Sequence, residues 1–395
     1  MVVAIFFITV IMWGGMYCFG VFFKPLGSEF GWTSTQTSLA FSLFMVVYGL
    51  FLIIAGKIND SFGPRIVMTI CGFFFGVGYL LMSRINALWQ FYIIYGVILA
   101  IGMSGTIVPL LSTITRWFVK KRSLMTGICA AGVGVGTMII PPIASWLIST
   151  SGWRHSFIII GSVSLVLIIT LSQLLKRDPS DITQSPYDTD QADKIIVQMQ
   201  AKGFSLRQVV WTSQFWILSV AFFGFGFYLQ SVMVHIVPHA INMGISPIKA
   251  AIIITFIGGG STAGRVIMGA TAGRIGNKLA TIISFILITF AAYILILSKE
   301  VWMFYLFAFI FGFSYGGLQI MGSLLVADLF GLRAHGLILG VVTFIFTIGS
   351  GTGPLVASYI FDLSGSYHTF LLVFFAIGVT GSVLISLLKS ATDFT

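Results

Sequence analysis

The chain has 395 residues, of which 57% are hydrophobic and only 8% are charged, and its formal net charge is +10. Soluble globular chains carry about 25% charged residues. The composition therefore excludes a water-soluble globular protein and predicts a chain embedded in lipid. The three cysteines, Cys18, Cys71 and Cys129, all lie in apolar stretches. We expect them to be buried free thiols rather than disulfide partners.

Twelve apolar stretches have the length of about 20 residues that a helix needs to cross a bilayer. Barrel strands alternate in polarity over about ten residues, and these continuous runs exclude them. An all-α membrane protein with twelve spans is therefore predicted. In chain order, the spans are residues 2–24, 38–57, 66–84, 88–114, 124–149, 155–175, 212–237, 248–272, 279–298, 301–327, 336–361 and 368–388.

The segment 176–211 is the only long polar stretch, and it lies near the middle of the chain. It divides the spans into two groups of six. This predicts an N-terminal six-helix bundle over residues 1–175 and a C-terminal six-helix bundle over residues 212–395, joined by a cytoplasmic linker. Residues 192–201 of the linker are expected to form a short surface helix.

Lysine and arginine are concentrated on one side of the predicted membrane. With the linker placed in the cytoplasm, most of the 21 basic residues fall on cytoplasmic segments, as the positive-inside rule requires. Both termini then face the cytoplasm. Because this charge faces anionic lipid headgroups, we expect membrane lipid and no nucleic acid as its partner.

The two halves of the chain repeat each other at an offset of 213 residues. Turn and kink residues coincide under this shift, which indicates a duplication. Two parallel halves of this kind are a transporter architecture, with the substrate site near the midplane between them. The coinciding pairs are Pro25 with Pro238, Gly31 with Gly244, Gly56 with Gly269, Gly63 with Gly276, Gly127 with Gly340, Pro141 with Pro354, Gly152 with Gly365, His155 with His368 and Phe157 with Phe370.

Small residues and prolines recur at matching places in the two halves. The loops 56–65 and 269–278 join the second and third spans of each half, and their glycines permit close helix approach. Residues 130–142 and 347–354 lie on the fifth spans, where proline bends a helix. We expect helix packing, together with conformational switching, from Gly56, Asp60, Gly63, Arg65, Gly269, Gly273, Arg274, Gly132, Gly136, Pro141, Gly353 and Pro354.

Several of these stretches resemble known transporters. The duplicated loops resemble those of the major facilitator superfamily, and other motifs resemble the signature regions of the monocarboxylate transporters. TSQFW at residues 212–216 resembles the bacterial oxalate/formate antiporters. The resemblance covers essentially the whole chain and implies two pseudo-symmetric six-helix bundles and a small carboxylate substrate. It is carried by GVFFKPLGSEFGWTSTQTS (20–38), RWFVKKRSLMTGICAAGVGVG (116–136), GWRHSFIIIG (152–161) and GFSYGG (312–317).

Arg265 interrupts the eighth span. If that helix begins at Ser246–Pro247, the arginine lies about 27 Å along it, at 1.5 Å per residue. A charge at this depth is costly unless it faces a wet cavity or a counter-charge, and the sequence places few carboxylates nearby. Two interpretations stay open. The arginine snorkels to the cytoplasmic surface or caps carbonyls, or its partner is a substrate carboxylate, which a guanidinium binds through two donors.

The resemblance implies a substrate-binding arginine at this place, and Arg265 falls on it. The chain departs from the family pattern at two positions, and both departures argue against proton symport through the groups that the proton-coupled relatives use. The proton-coupled relatives carry an acidic residue where this chain has Ser261, and a lysine where it has Tyr17. The eleventh span also lacks the second basic residue of the oxalate-transporting relative, so charge balance favours a monoanion over a dianion. A co-transported proton stays open.

Other polar or aromatic residues on the spans are candidates for the substrate cavity. The resemblance implies that Thr106 faces the substrate. Each aromatic residue has an alternative role in packing or in lipid contact, whereas a buried amide such as that of Gln319 needs a partner. The candidates are Tyr17, Thr106, Tyr228, Tyr315, Gln319, Phe344 and Thr347.

His235 and His239 are four residues apart near the outer end of the seventh span. A metal site needs more ligands than these two, so we expect no metal, and interfacial histidines or a proton-sensitive gate are the alternatives. The sequence has no nucleotide-binding loop and no nucleophile–base arrangement. We therefore expect neither a cofactor nor an enzyme.

These features predict a secondary or facilitative transporter that carries a small monocarboxylate, such as lactate, pyruvate, formate or acetate, by alternating access. The alternatives are an exchanger of dicarboxylates or formate, a carrier of aromatic organic acids, and a sensor that binds without transport. We expect a monomeric transport unit in the inner, or plasma, membrane of a prokaryotic cell.

Overall fold

A computed structural model describes residues 1–106, 109–110, 113, 122–176, 204–331 and 334–388. The chain is almost entirely helical within these ranges. Between α5 and α6 the helix is π-helical over Tyr92–Leu99, and a 3₁₀ turn, Ser104–Thr106, follows α6. The α-helices are α1 (Val2–Tyr17), α2 (Phe19–Phe30), α3 (Ser34–Phe62), α4 (Pro64–Met82), α5 (Leu88–Phe91), α6 (Ala100–Met103), α7 (Arg122–Ser172), α8 (Leu206–Val209), α9 (Ser213–Asn242), α10 (Pro247–Ile275), α11 (Asn277–Leu297), α12 (Val301–Phe330), α13 (His335–Ser364) and α14 (His368–Ser386).

Eleven helices in the described part of the chain are long and apolar enough to cross a membrane. One of them, Gly127–Ser172, has 46 residues and contains both the fifth and the sixth predicted spans. Gly152 separates the two, because its φ of 79° and ψ of 162° are not helical. The prediction of an all-helical membrane protein is therefore confirmed, and the predicted start of the eighth span at Ser246–Pro247 matches the start of α10.

The duplication is visible in the backbone at the turns between spans. Three glycine pairs related by the repeat adopt a positive φ: Gly31 and Gly244, Gly63 and Gly276, and Gly152 and Gly365. Side chains with a Cβ rarely adopt this conformation. The conformation required at each of these turns is therefore the reason that glycine recurs there.

These turns define the two ends of the molecule. Gly63 and Gly276 lie at one end, next to the segment that joins the halves, and we call this the linker end. Gly31, Gly152, Gly244 and Gly365 lie at the other, which we call the loop end. Helices up to residue 176 form the first half and helices from residue 204 form the second half. The division at 176–211 stays a prediction, since residues 177–203 and the expected surface helix lie outside the described residues.

The halves pack against each other along three helix pairs, which are α7 with α10, α3 with α13, and α2 with α9. On one side, α7 contacts α10, where the hydroxyl of Thr255 donates to the carbonyl of Met138 at 2.8 Å. On the other, α3 contacts α13, where the hydroxyl of Ser42 donates to the carbonyl of Gly351 at 2.6 Å. Small residues at such contacts let membrane helices approach closely. A Cβ added to Gly258 would lie only 2.6 Å from the carbonyl oxygen of Gly134.

The loop end is closed by a cap that crosses between the halves. Thr33 is the N-cap residue of α3, and its side chain and that of Gln36 form a capping box. The carboxylate of Asp362, on α13, accepts the backbone N–H groups of Ser34 at 3.1 Å and Thr35 at 2.7 Å. A carboxylate at a helix N-terminus is stabilised by the free N–H groups and by the helix dipole. The first turn of α3 is thus tied to the opposite half.

Candidate functional site

Four polar side chains from four helices meet between the halves, near the middle of the membrane-spanning region. Arg265 comes from α10, Tyr315 from the midpoint of α12, Tyr17 from the end of α1, and Gln230 from α9. The hydroxyl of Tyr17 lies close enough to the Tyr315 hydroxyl and the Gln230 side chain to interact with both, and it is close to the charge of Arg265. We call these four residues the central cluster.

Tyr17 stands where the first span changes direction. α1 ends at Tyr17 and α2 begins at Phe19, and between them Cys18 donates its backbone N–H to the carbonyl of Gly15, three residues back. The tighter turn breaks the regular α-helical hydrogen-bond pattern. Interrupted helices near the midplane are a recurrent feature of transporter binding sites.

The guanidinium of Arg265 is half-buried and makes two hydrogen bonds to neutral groups. Its Nη1 donates to the carbonyl of Ala130, on α7 in the first half, at 2.7 Å, and its Nη2 donates to the Tyr315 hydroxyl at 3.2 Å. Its Cζ lies 5.6 Å from the centre of the Tyr315 ring, within range of a cation–π interaction. Arg265 therefore points between the halves and not toward the linker-end surface.

The charge of Arg265 has no counter-charge among the carboxylates whose side chains the structure describes. The one ion pair within that part of the chain joins Arg154 to Glu29 at the loop end. An arginine at the bilayer centre costs about 2.5–3.5 kcal/mol on insertion scales, and two neutral hydrogen bonds satisfy only part of its donors. The guanidinium thus keeps donors that these two hydrogen bonds do not use.

Two polar atoms near Arg265 are buried and have no hydrogen-bond partner. The Oε1 atom of Gln230 is one, on a residue that is 4% exposed, and the Oγ atom of Ser261, one helical turn before Arg265, is the other. Leaving a buried donor or acceptor unsatisfied costs about 1–3 kcal/mol. Native structures leave few buried polar atoms unpaired, so these two atoms add to the reasons for treating the central cluster as a candidate site.

The structure brings Tyr17 and Tyr315 to Arg265 but places other candidates elsewhere. Tyr228 packs against aromatic rings inside the second half, with its hydroxyl 3.4 Å from the carbonyl of Ile288. The buried hydroxyl of Thr106 donates to the carbonyl of Met103 and lies near Tyr48. Neither belongs to the central cluster.

Three candidates lie nearer the linker end. Gln319 is exposed, contrary to the expectation of a buried amide. It follows Tyr315 by one turn on the same face of α12, because residues four apart share a helix face. Phe344 is 49% exposed. The Thr347 side chain faces α3 of the other half, since its Cγ2 would lie 3.5 Å from a Cβ at Gly49.

The predicted switching residues fall into two groups, and the first group lies within the fifth spans. Gly132, Gly136 and Gly353 lie at close helix contacts, where an added Cβ would meet the backbone of a neighbouring helix. Pro141 and Pro354 lie inside α7 and α13.

Residues of the two predicted loops form the second group, and several of them lie in helices, because α3 runs to Phe62 and α10 runs to Ile275. Gly63 terminates α3, and Arg65 donates to the side-chain oxygen of Gln173 at 2.8 Å. Gly269 has an Ile320 methyl 3.8 Å from its Cβ position. Gly56 lies in α3, and Gly273 and Arg274 are exposed on α10. The side chain of Asp60 lies outside the described residues.

Sequence reasoning missed Gln230 and Ala130. Gln230 is an amide in an apolar span, and no charged residue or motif stands next to it. Its polarity was therefore the only signal in the sequence. Ala130 contributes only its carbonyl, which no sequence pattern marks. The structure describes no group of three metal-ligating side chains, and His235 and His239 do not form one.

Comparison with known proteins identifies the class. The family model for the Major Facilitator Superfamily matches residues 5–297 and 241–393. The chain belongs to this superfamily, and the predicted fold of two related six-helix bundles is confirmed with it.

Individual relatives narrow the resemblance. The chain is 25% identical over 393 residues to monocarboxylate transporter 13 of Rattus norvegicus, with 98% of this chain and 88% of that protein covered. It is 27% identical to monocarboxylate transporter 4 of Gallus gallus, with 97% and 81% covered. It is 24% identical to the uncharacterized MFS-type transporter YhjX of Escherichia coli (strain K12), with 87% and 83% covered.

A solved structure agrees with the fold. A bacterial homologue of the human lysosomal transporter Spinster, in an inward-facing and unoccupied conformation, superimposes with a TM-score of 0.69 at 17% identity, covering 98% of this chain and 94% of that one. The protein is therefore a multi-pass membrane transporter of the superfamily, with monocarboxylate transporters among its relatives.

Proposed function

We propose that this protein carries a small monocarboxylate across the membrane by alternating access, and that Arg265 binds the carboxylate. The observation that supports this most directly is the uncompensated guanidinium of Arg265 within the central cluster. Its relatives named monocarboxylate transporters agree with this substrate class.

The free donors of Arg265 suit a carboxylate. A guanidinium has five N–H donors in a rigid fork, and Ala130 and Tyr315 occupy one on each terminal nitrogen. The remaining donors are available for a bidentate pair with a carboxylate, which is the geometry that arginine favours. The Tyr17 hydroxyl and the Gln230 amide then face the rest of a small substrate.

The charge at the site favours a monoanion. Among the described residues of the central cluster, Arg265 is the one cation, so a single carboxylate neutralises it. A second carboxylate would need a second partner, or would carry a net negative charge into the protein interior at a cost of several kcal/mol. Dicarboxylate exchange is therefore the weaker candidate.

Alternating access needs helix pairs that separate at one end while staying together at the other. The loop end is held by Asp362 of α13, which caps α3. We assign the switching role to the glycines and prolines at helix contacts and to the loops around Gly63 and Gly276. In the cycle, the hydrogen bond from Arg265 to the carbonyl of Ala130 breaks and re-forms as α7 and α10 move.

We place the linker end in the cytoplasm of a prokaryotic cell, in the inner membrane, with both termini on that side and with a monomer as the transport unit. The distribution of Lys and Arg supports this orientation. Labelling of single cysteines introduced at the two ends, in intact cells, tests it.

The substrate class is tested by counterflow in proteoliposomes. Proteoliposomes that contain the purified protein are loaded with lactate, pyruvate, formate or acetate. Exchange of each internal acid is compared with that of oxalate and of benzoate, with and without a pH gradient. We expect these four monocarboxylates to exchange faster than oxalate or benzoate. Preferential exchange of oxalate or benzoate, or no exchange of any acid, would contradict the proposal.

A further inference from the structure

His235 lies in α9, toward the loop end, and is 4% exposed. Its ring contacts α13, the turn before α14, and Phe23 of α2, whose ring centre is 5.2 Å away at a T-shaped angle. Neither the central cluster nor the proposed substrate contacts make use of it.

The hydrogen bonds of His235 fix its tautomer. Its Nε2 is 2.9 Å from the carbonyl oxygen of Pro354, which can only accept, so Nε2 carries the hydrogen. Its Nδ1 is 3.1 Å from the Tyr367 hydroxyl and is the acceptor when the ring is neutral. Burial raises the pKa of Tyr367, so its hydroxyl keeps the proton that it donates. A neutral imidazole therefore has both of its nitrogens satisfied in the closed loop end.

The imidazole also belongs to a chain of contacts between the halves. Ser358, on α13, lies 3.1 Å from Nε2, and its hydroxyl bonds to the hydroxyl of Ser38, on α3 of the first half. One turn beyond Ser358, Asp362 caps the same helix α3. His235 therefore sits at the seam that must part when the loop end opens.

We propose that His235 is the site at which a proton from the loop side binds, and that this protonation is coupled to opening of the loop end. The proposal rests on the alternating-access function proposed above. It gives the chain a proton site in place of the acidic residue and the lysine that Ser261 and Tyr17 replace.

The direction of coupling follows from the cost of a buried charge. A charged imidazolium in the closed seam would lose its hydration and turn Nδ1 into a second donor toward Tyr367. The charged and titratable groups that face it there are Tyr367, His239 one turn away, and Asp362, whose carboxylate is already bonded to α3. Opening admits water, so the charged form is favoured in the open state. By linkage, acid on the loop side shifts the population toward that state.

The test measures the conformation directly, without substrate. Nitroxide labels are attached at Ser28→Cys and Met243→Cys, both exposed at the loop end, in protein whose three buried cysteines are replaced by alanine. The distance between the labels is measured at pH 8 and pH 5. We expect a shift of the distribution toward longer distances at pH 5 in the otherwise unmodified protein.

His235→Gln keeps a donor toward Pro354 but does not titrate, and His239→Gln is the matched control on the same helix. We expect the first variant to give the same distribution at both pH values and the second to shift as the parent does. The proposal is overturned if the parent does not shift, or if His235→Gln shifts as far as the parent. His235→Asn is a second variant that does not titrate, and it should behave as His235→Gln does. Thermal unfolding of each variant shows whether the fold is retained.

Transport separates this proposal from the proposed function. If uptake of carboxylates is absent but the acid-driven shift depends on His235, the substrate assignment fails and the proton site stands. If uptake occurs and the shift persists in His235→Gln, the proton site fails and the carboxylate assignment stands.

Discussion

Arg265 and Ala130 lie in different halves of the molecule, yet the guanidinium of the first donates to the carbonyl of the second at 2.7 Å. The substrate-binding candidate is therefore itself part of the contact between α7 and α10. A carboxylate that binds Arg265 competes with, or adds to, this contact. Substrate binding at Arg265 is thereby connected to the relative position of α7 and α10.

Ser261→Asp should make uptake depend on pH. The new carboxylate would lie one turn before Arg265 on the same face and pair with it in the absence of substrate. We expect uptake at pH 7 to fall at least about tenfold, equivalent to 1.4 kcal/mol, and to recover as acid protonates the aspartate. Initial rates of uptake between pH 5 and pH 8 measure this. Ser261→Asn, similar in size but neutral, should follow the pH dependence of the parent, and a recovery beyond that of the parent would count against the pairing.

Gln230→Leu should stabilise the protein while it weakens substrate binding. The Oε1 atom of Gln230 is buried without a partner, and removing such a group relieves a cost of about 1–3 kcal/mol. The same amide is expected to face the substrate, so affinity should fall roughly tenfold, the value of one hydrogen bond. Thermal unfolding and equilibrium binding check the two effects. Gln214→Leu, in the same helix near the linker end, should leave affinity unchanged.

Gly258→Ala should disrupt the interface between the halves. A Cβ there would lie 2.6 Å from the Gly134 carbonyl and 2.8 Å from the Met138 nitrogen. Overpacking of this kind costs about 1–3 kcal/mol, so we expect a lower unfolding temperature and slower transport. At the neighbouring Gly259 the first contact is the Met138 sulfur at 3.6 Å. Gly259→Ala is therefore the control, and equal effects of the two substitutions would contradict the packing assignment.

Asp362→Asn should loosen the loop end. The carboxylate of Asp362 caps α3 from the opposite half, and loss of a charged cap costs about 1 kcal/mol. We expect the open population to rise roughly five-fold, visible as longer Ser28–Met243 label distances at pH 8. Asp328→Asn removes a carboxylate that bonds Asn277 at the linker end, and its distances should match those of the parent.

Much of the fold follows from the sequence because a bilayer imposes length and polarity on every span. The spans, the turn glycines and the start of α10 were all predictable in this way. The pairing of helices was not. In lipid, helices are apolar on all sides, so the periodic pattern that identifies a buried face in soluble proteins is absent. The contact of Gly134 with Gly258 depends on which small residues meet, and many glycines in the chain look alike.

The candidate site was predictable where charge marks it. Arg265 stands out in an apolar span, and Tyr315 and Tyr17 lie on helices that a duplicated transporter brings together. Gln319 and Tyr228 were equally plausible by residue type. Gln319 shares a face of α12 with Tyr315 but lies one turn nearer the linker end, where it is exposed, whereas helix rotation places Tyr228 inside the second half.

The central claim is that Arg265 holds the substrate carboxylate, and binding affinity tests it most directly. Calorimetric titration of the purified protein with the acid that counterflow identifies is compared for the parent, Arg265→Lys, Arg265→Ala and Arg84→Ala, the last removing an exposed arginine at the loop end. We predict a loss of at least about 100-fold for Arg265→Ala, since two charge-assisted hydrogen bonds contribute about 3 kcal/mol. Arg265→Lys should be intermediate, because lysine lacks the planar fork, and Arg84→Ala should bind as the parent does. Unchanged affinity in Arg265→Ala would contradict the account.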